Sequence, residues 1–114
     1  MIYNAIFAVL PRGMADSVME AAKKAGAPGG TIFLARGTGA HEAKTFFGLT
    51  VEVAREILMI VCAESDTDRI LKAVIEAGRL TEPASGIAFV VRNVDVFGLY
   101  ERDAHANQQH QDRG

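Results

Sequence analysis

Residues 56–78, EILMIVCAESDTDRILKAVIEAG, pass from a continuous apolar run into a helical pattern. The run EILMIVC at 56–62 is typical of a central β-strand that is covered by its neighbours. Four apolar residues then recur at helical spacing: Ile70, Leu71, Val74 and Ile75. Ser65 and Asp68 have the spacing of a capping box at the start of this helix, and Gly78 can end it. The stretch therefore predicts a strand followed by an amphipathic helix.

The first part of the chain repeats this order. Residues 2–10, IYNAIFAVL, predict a buried strand that Pro11 ends. From Met14 the pattern is helical, and Gly26 suits the end of the helix. The apolar stripe of this helix is Val18, Ala21, Ala22 and Ala25. Residues 31–35, TIFLA, predict the next strand, so the order strand, helix, strand occurs early in the chain.

The remaining segments complete a second unit of the same kind. Residues 37–54 are irregular and predict a loop or a loose hairpin. GIAFVV at 86–91 predicts a fourth strand, and VDVFGLY at 94–100 either continues it or adds a short edge strand. Two strand–helix–strand units predict an α+β, ferredoxin-like βαββαβ sandwich, with both helices on one face of a four-stranded antiparallel sheet.

Neighbouring residues in these strands are both apolar, which predicts that both faces of the sheet are apolar. The pairs are Ile6 with Phe7, Leu58 with Met59, and Phe89 with Val90. Two helices can cover only one face, and a large exposed apolar face implies a partner. The simplest partner is another copy of the chain, so we expect a homo-oligomer.

Composition narrows the function classes. The 114 residues predict one domain over 1–100 and a polar, disordered tail over 101–114. A formal net charge of −2 argues against nucleic-acid binding. The N-terminus has no basic leader, and the single cysteine fits a reducing compartment, so we expect a cytoplasmic protein. His105 and His110 of the tail have no compact spacing, and we expect no metal site.

Candidate catalytic residues are few. Cys62 lies inside an apolar strand, where a thiol usually only packs. The serines lack a nucleophile motif such as G-x-S-x-G. His41 is the histidine of the predicted body, and it is a candidate for ligand contact or a solvated loop residue. We therefore expect no enzymatic activity.

Two glycine-bearing segments are better candidates for a binding site. They are GGTIFLARGTG at 29–39 and LTEPASGI at 80–87. Glycine lets backbone N–H groups approach a ligand closely and hold an anion. The alternative is that these glycines only make turns.

These segments, with the strand that ends at Pro11, the run EILMIVC and the stretch TEPASGIAFVVRNVDVFG at 81–98, resemble the PII signalling superfamily. The resemblance spans about residues 2–100 in the expected order. It implies a homotrimer of ferredoxin-like subunits that binds an adenine nucleotide between neighbouring subunits. It also implies a long T-loop after the second strand that docks onto transporters or enzymes.

Carried over position by position, the resemblance assigns ligand-binding residues on both sides of such a cleft. They are Gly29, Gly30, Thr31, Gly37, Thr38, Gly39, Val61, Ser85 and Gly86. His41, Arg36 and Arg102 are additional candidate contacts, with Arg79 a further candidate cation. Phe46 and Phe47 are the candidate partner-docking residues of the T-loop segment, or they simply cover the sheet.

The chain departs from the family at its phosphate-binding cations. The lysine of the family's phosphate loop falls at Ile87, and two arginines of its last strand fall at Gly98 and Tyr100. Each missing cation removes a contact worth about 1.5–3 kcal/mol. The predicted ligand is therefore AMP, ADP or ATP, with AMP or ADP bound at least as tightly as ATP, or a small anion such as bicarbonate. No cofactor is required. The T-loop segment is also shorter than in the classical regulators.

Two readings follow from the resemblance, with a third from the fold. The first is a non-enzymatic PII-like regulator that binds a small anion and signals to an effector protein such as a membrane transporter. The alternative is a CutA-like structural or metal-related trimer, which shares the architecture. A small enzyme on the same fold is the third, because a fold does not fix a function.

Overall fold

The structure is a computed structural model that describes residues 1–37, 44–46, 49–51, 53–83 and 85–98. In chain order the elements are β1 (Tyr3–Pro11), α1 (Ala15–Lys24), β2 (Thr31–Gly37), β3 (Lys44–Phe46), β4 (Leu49–Val51), β5 (Val53–Ala63), α2 (Glu64–Ala77) and β6 (Ile87–Val94). The predicted tail and the domain boundary at residue 100 lie outside the described residues.

The main sheet has the order β2-β5-β1-β6, and every neighbouring pair is antiparallel. The predicted ferredoxin-like fold is confirmed. Strands β3 and β4 pair with each other as a separate hairpin, one of the two forms expected for the segment between β2 and β5. The two central strands are β5 and β1, as the continuous apolar run of β5 predicts.

Both described helices pack on one face of this sheet, which we call the helix side. Buried residues alternate along β1 and β5 because successive side chains of a strand point to opposite faces. The residues of the helix side are Ile6, Ala8, Leu10, Leu58, Ile60 and Cys62, and they meet Val18, Met19 and Ala22 of α1 and Ile70 and Val74 of α2. Val18 and Ala22 of the first predicted stripe and Ile70 and Val74 of the second are buried in the core. The other stripe residues, Ala21, Ala25, Leu71 and Ile75, are half-buried.

The start of α2 differs from the prediction. The helix begins at Glu64, directly after β5, and no side chain caps it. The N–H of Glu64 donates to the carbonyl of Ile2 at 2.9 Å, so a backbone group from β1's N-terminal flank replaces the cap. Ser65 and Asp68 lie inside the helix, and the predicted capping box is wrong.

A buried polar contact ties β1 to α2 and to β6. The Asn4 side chain donates to Thr67 Oγ1 at 2.9 Å and accepts from the N–H of Asn93 at 2.9 Å. The β1–β6 register shifts between Tyr3 and Ala5, and Asn93 has a positive φ of 59°. Asn4 therefore holds a β-bulge in the edge strand β6.

The opposite face of the sheet, which we call the open face, is not covered within the described chain. Phe7 pairs with both Met59 and Phe89, so all three side chains lie on this face. The rings of Phe7 and Phe89 stack with centroids 5.1 Å apart. Ile87 is 59% exposed and Phe89 is 45% exposed. The sequence left open which face Met59 and Phe89 occupy, and the β1 register places both on the open face.

The last predicted strand also ends early. Strand β6 stops at Val94, and residues 95–98 neither continue it nor form another strand. Residues 99–100 lie outside the described part of the chain. Phe97, at 92% exposure, is a large apolar side chain without cover in this segment.

Candidate functional site

The first group of predicted ligand-binding residues lies together at one end of β2. Thr31 pairs with Met59, and the same register extended by two residues brings Gly29 opposite Val61. A methyl group built on Gly30 would lie 2.7 Å from Met19 Sδ and 3.0 Å from the carbonyl oxygen of Met59. Gly30 is therefore needed for packing beneath α1. A methyl group on Gly29 would meet nothing within 4 Å. Gly29 is half-buried and Gly30 is exposed, so the two differ in the room for a side chain and not in access to the backbone.

A groove runs beside these glycines on the helix side, between α1 and β2. Its volume is about 510 Å³, and Gly29 and Gly30 line it with Asp16, Glu20 and Lys23 of α1. Two carboxylates and one ammonium make this lining unfavourable for a phosphate. The described groove beside Gly29 and Gly30 therefore does not by itself form the expected anion site.

The second group lies at the other end of β2. Gly37 ends the strand, and a methyl group on it would meet nothing within 4 Å. A strand of seven residues spans roughly 20 Å. Gly37 and Gly30 of one chain are therefore too far apart to hold the same small group.

The third group lies at the start of β6, on the opposite edge of the sheet. Gly86 has φ +119°, and a methyl group on it would overlap the carbonyl oxygen of Val9. The N–H of Ser85 donates to the carbonyl of Glu82 at 3.4 Å. Gly86 is thus required by the close approach of its backbone to β1, which is a structural role.

The sheet order separates the second and third groups. Gly37 on β2 and Gly86 beside β6 lie at the same end of the sheet, but β5 and β1 lie between them. Three steps between strands correspond to about 14 Å. One chain therefore presents three separate candidate surfaces rather than one closed cleft, and a ligand touching all of them would need neighbouring copies.

Several candidate residues lie outside the described residues, and their predictions stay predictions. They are Thr38, Gly39, His41, Phe47 and Arg102. Phe46 ends β3, where it pairs with Leu49 in the hairpin. Arg79 follows α2 with a positive φ of 53°, and it is exposed.

Arg36 is the predicted candidate cation that the structure assigns to a groove. This groove has a volume of about 300 Å³ and is lined by Arg12, Leu34, Ala35, Arg36 and Ala54. Sequence reasoning missed Arg12. The sequence feature that could have indicated Arg12 as a candidate is its place between Pro11 and Gly13, in the turn that follows a central strand. Loops at the ends of strands often carry binding residues.

Two further features bear on function. In the described part of the chain, no three His, Cys, Asp or Glu side chains are grouped so that they could hold a metal ion. Neither α1 nor α2 is long and apolar enough to cross a membrane.

The fold is a ferredoxin-like subunit with one face open. A family model described as nitrogen regulatory protein P-II matches residues 3–102, so the chain belongs to the P-II family. Among solved structures, it resembles Arabidopsis thaliana PII bound to citrate, with a TM-score of 0.67 and 22% sequence identity. The match covers 86% of this chain and 81% of that one, and it supports the fold. No curated protein matches the sequence. The resemblance to the PII superfamily is confirmed.

Proposed function

We propose that the protein is a non-enzymatic PII-like regulator, which acts as a cytoplasmic homotrimer and binds a small anionic ligand between its subunits. The observation that carries this proposal is the family match over residues 3–102, joined to the open apolar face. Ligand binding would change how the segment after β2 meets an effector protein such as a membrane transporter.

The open face supports the assembly. Ile87, Phe89 and Val91 of β6 are 59%, 45% and 43% exposed in the single chain. Burying such side chains stabilises an assembly by about 25 cal/mol for each Å² removed from water. Static light scattering at micromolar concentration should give three times the mass of the chain, and a monomer mass would contradict the proposed assembly.

The separation of the candidate surfaces supports a ligand site between copies. Gly29, Thr31 and Val61 lie at one end of the sheet, and Ser85 and Gly86 lie at the other. A neighbouring copy could bring its own first surface beside the second or third surface of this chain. The nucleotide would then contact glycine N–H groups and the hydroxyls of Thr31 and Ser85.

The proposed order of affinity is AMP or ADP at least as tight as ATP. The family's lysine is replaced by Ile87, so additional phosphates add negative charge without that cation. Calorimetry with the three nucleotides, with and without magnesium and bicarbonate, tests the order. Tight binding of ATP over AMP would contradict it. A trimer that binds none of these ligands would favour the CutA-like structural alternative.

Effector docking is proposed for the segment that contains Phe46 and Phe47. Deletion of residues 41–48 should leave the mass of the assembly unchanged and abolish effector binding. Strands β3 and β4 pair only with each other, with Lys44 opposite Val51 and Phe46 opposite Leu49. They do not belong to the main sheet. If the deletion unfolds the protein, the two phenylalanines belong to the core and the docking proposal is wrong.

A further inference from the structure

Phe97 is an aromatic side chain that the single chain leaves almost fully in solvent, at 92% exposure. It lies three residues after β6 ends at Val94. Gly98, the next residue, has a positive φ of 96°, so the backbone turns directly after the ring. An aromatic side chain offers roughly 150–250 Å² for burial, so Phe97 is a candidate contact for a ligand or for a second copy.

The strand registers show where Phe97 lies relative to the first group of candidate ligand-binding residues. One row of directly paired residues crosses the whole sheet from β2 to β6: Thr31, Met59, Phe7 and Phe89. Beyond this row, towards the same end of the sheet, lie Gly29 at the β2 edge and Val94 at the β6 edge. Phe97 and Gly29 therefore belong to the same end of the sheet but to opposite edges, which lie about 14 Å apart.

A closed ring of copies brings these two edges together. In the homotrimer proposed above, the open faces turn towards the common axis, and cyclic symmetry makes every contact between neighbours heterologous. The β6 edge of one copy then faces the β2 edge of the next. With the strands along the axis, rotation keeps each row at its own height, so Phe97 of one copy comes beside Gly29 and Thr31 of the next.

The surface that Phe97 would meet has one wall for a flat ligand. We call Gly29, Thr31 and Val61 the first surface, and Thr31 and Val61 point to the open face with their pairing partners Met59 and Ala5. Val61 offers an aliphatic wall and Thr31 a hydroxyl, and a methyl group on Gly29 would meet nothing within 4 Å. A planar group on the first surface is thus covered from one side by its own copy, and a neighbour can cover the other side.

We propose that Phe97 of one copy stacks on the nucleobase that the first surface of the next copy holds. This inference rests on the proposed function and names the residue that binds the base. Stacking on an aromatic ring requires no charge, so it supplies affinity where Ile87 stands in place of the family's lysine. Every base has a π-face, so Phe97 strengthens the binding of a nucleoside without depending on the number of phosphates.

Fluorescence gives the first test, because the chain contains no tryptophan. In Phe97→Trp the single indole should be quenched by AMP and by adenosine, and unaffected by ribose 5-phosphate, which carries no base. Ile2→Trp is the matched control, since Ile2 is an exposed apolar residue at the same end of the sheet, on the central strand side. Its emission should not respond to AMP. An unchanged emission of Phe97→Trp in a protein that binds AMP overturns the proposal.

Calorimetry measures what the ring contributes. Phe97→Ser should weaken the binding of AMP and of adenosine by the same factor, about tenfold or more, and leave any binding of ribose 5-phosphate unchanged. Phe97→Tyr keeps the aromatic face and should bind AMP as the parent does. Ile2→Ser should also match the parent. Light scattering and circular dichroism on each variant establish that the assembly and the fold are retained.

Cross-linking tests whether the ring comes from a neighbouring copy. In the double variant Gly29→Cys with Phe97→Cys, a short bismaleimide should link the chains into covalent trimers on a denaturing gel. Either single variant should remain a single chain, because Cys62 is 2% exposed and does not react. Absence of linked chains in a double variant of trimeric mass overturns the placement of Phe97.

The parent protein separates this inference from the proposed function. AMP binding by the parent that is unchanged in Phe97→Ser overturns the stacking proposal and leaves the nucleotide-binding regulator in place. A parent that binds neither AMP nor adenosine contradicts the nucleotide proposal, and the base-binding role of Phe97 is overturned with it. Equal losses of AMP affinity in Phe97→Ser and Ile2→Ser would show a general effect on this end of the sheet, which also contradicts stacking.

Discussion

The two faces of the main sheet carry apolar side chains, but only one is covered within the chain. On the helix side, Leu58 is 1% exposed and Ile60 is fully buried. On the open face, Phe89 and Val91 remain more than two-fifths exposed. The same alternating strands thus serve two purposes. One face supplies the free energy of folding for a single chain, and the other is available for association.

The largest expected effect on folding comes from the helix side. Leu58→Ala leaves a cavity under α1 and α2, and should lower the free energy of unfolding by about 2–5 kcal/mol. Met59→Ala, one residue away on the open face, should cost clearly less when the subunit is monomeric. Urea unfolding at equal protein concentrations measures both. Equal losses at the two positions in a monomeric protein would remove the distinction between the faces.

A charge placed on the open face should disrupt association while the subunit stays folded. Met59→Asp or Phe89→Asp should yield a folded subunit of reduced mass, because an unpaired charge buried in an interface is costly. Light scattering gives the mass, and circular dichroism shows whether the helices remain. Lys72→Glu, on the exposed side of α2, is the control and should keep the parent's mass. A variant that keeps the full assembly with Asp at 59 would place the interface elsewhere.

Replacing Asn4, a buried polar residue on the helix side, should have a smaller effect on stability than replacing Leu58. Asn4 is fully buried and makes hydrogen bonds to Thr67 and to the N–H of Asn93. Asn4→Ala leaves both partners without this side chain, and should destabilise the fold by about 1–3 kcal/mol. Amide hydrogen exchange should increase at Asn93 more than at the centre of β1. Unchanged exchange at Asn93 would mean that Asn4 does not hold the bulge.

Periodicity was sufficient to predict the main features of the fold. The apolar runs at 2–10, 56–62 and 86–91 and the two helical stripes gave the element order and the class of sheet. They also indicated that both faces were apolar, because neighbouring residues of a strand point to opposite faces and both were apolar in these runs. These are local properties of the chain, which a sequence displays directly.

Features that depend on contacts between distant residues could not be predicted. The carbonyl of Ile2 satisfies the first N–H of α2, which made the capping box unnecessary. The register of β1 aligns Met59 with Phe89, and the registers of β1 and β2 bring Arg12 and Arg36 to the same alanine. Strand register is set by the packed sheet, so the groove lined by Arg12 and Arg36 has no signature in the linear sequence.

The smallest expected effects distinguish a glycine without room for a side chain, Gly30, from glycines with room for one, Gly29 and Gly37. Gly30→Ala must displace Met19 Sδ and meets the Met59 carbonyl oxygen at 3.0 Å, so it should cost about 1 kcal/mol or more. Gly29→Ala and Gly37→Ala meet nothing within 4 Å, and should change stability by less than about 0.5 kcal/mol.

Titration of these three alanine variants with nucleotide tests whether the glycines contact the ligand. If nucleotide binding requires close backbone approach at Gly29 or Gly37, the stable alanine variants should lose affinity while their unfolding curves match the parent's. Gly30→Ala should instead lower stability and affinity together, because it shifts the strand beneath α1. Parent-like affinity in both Gly29→Ala and Gly37→Ala would mean that these glycines only shape the chain, and the ligand surface would then have to be sought at Ser85 and Gly86.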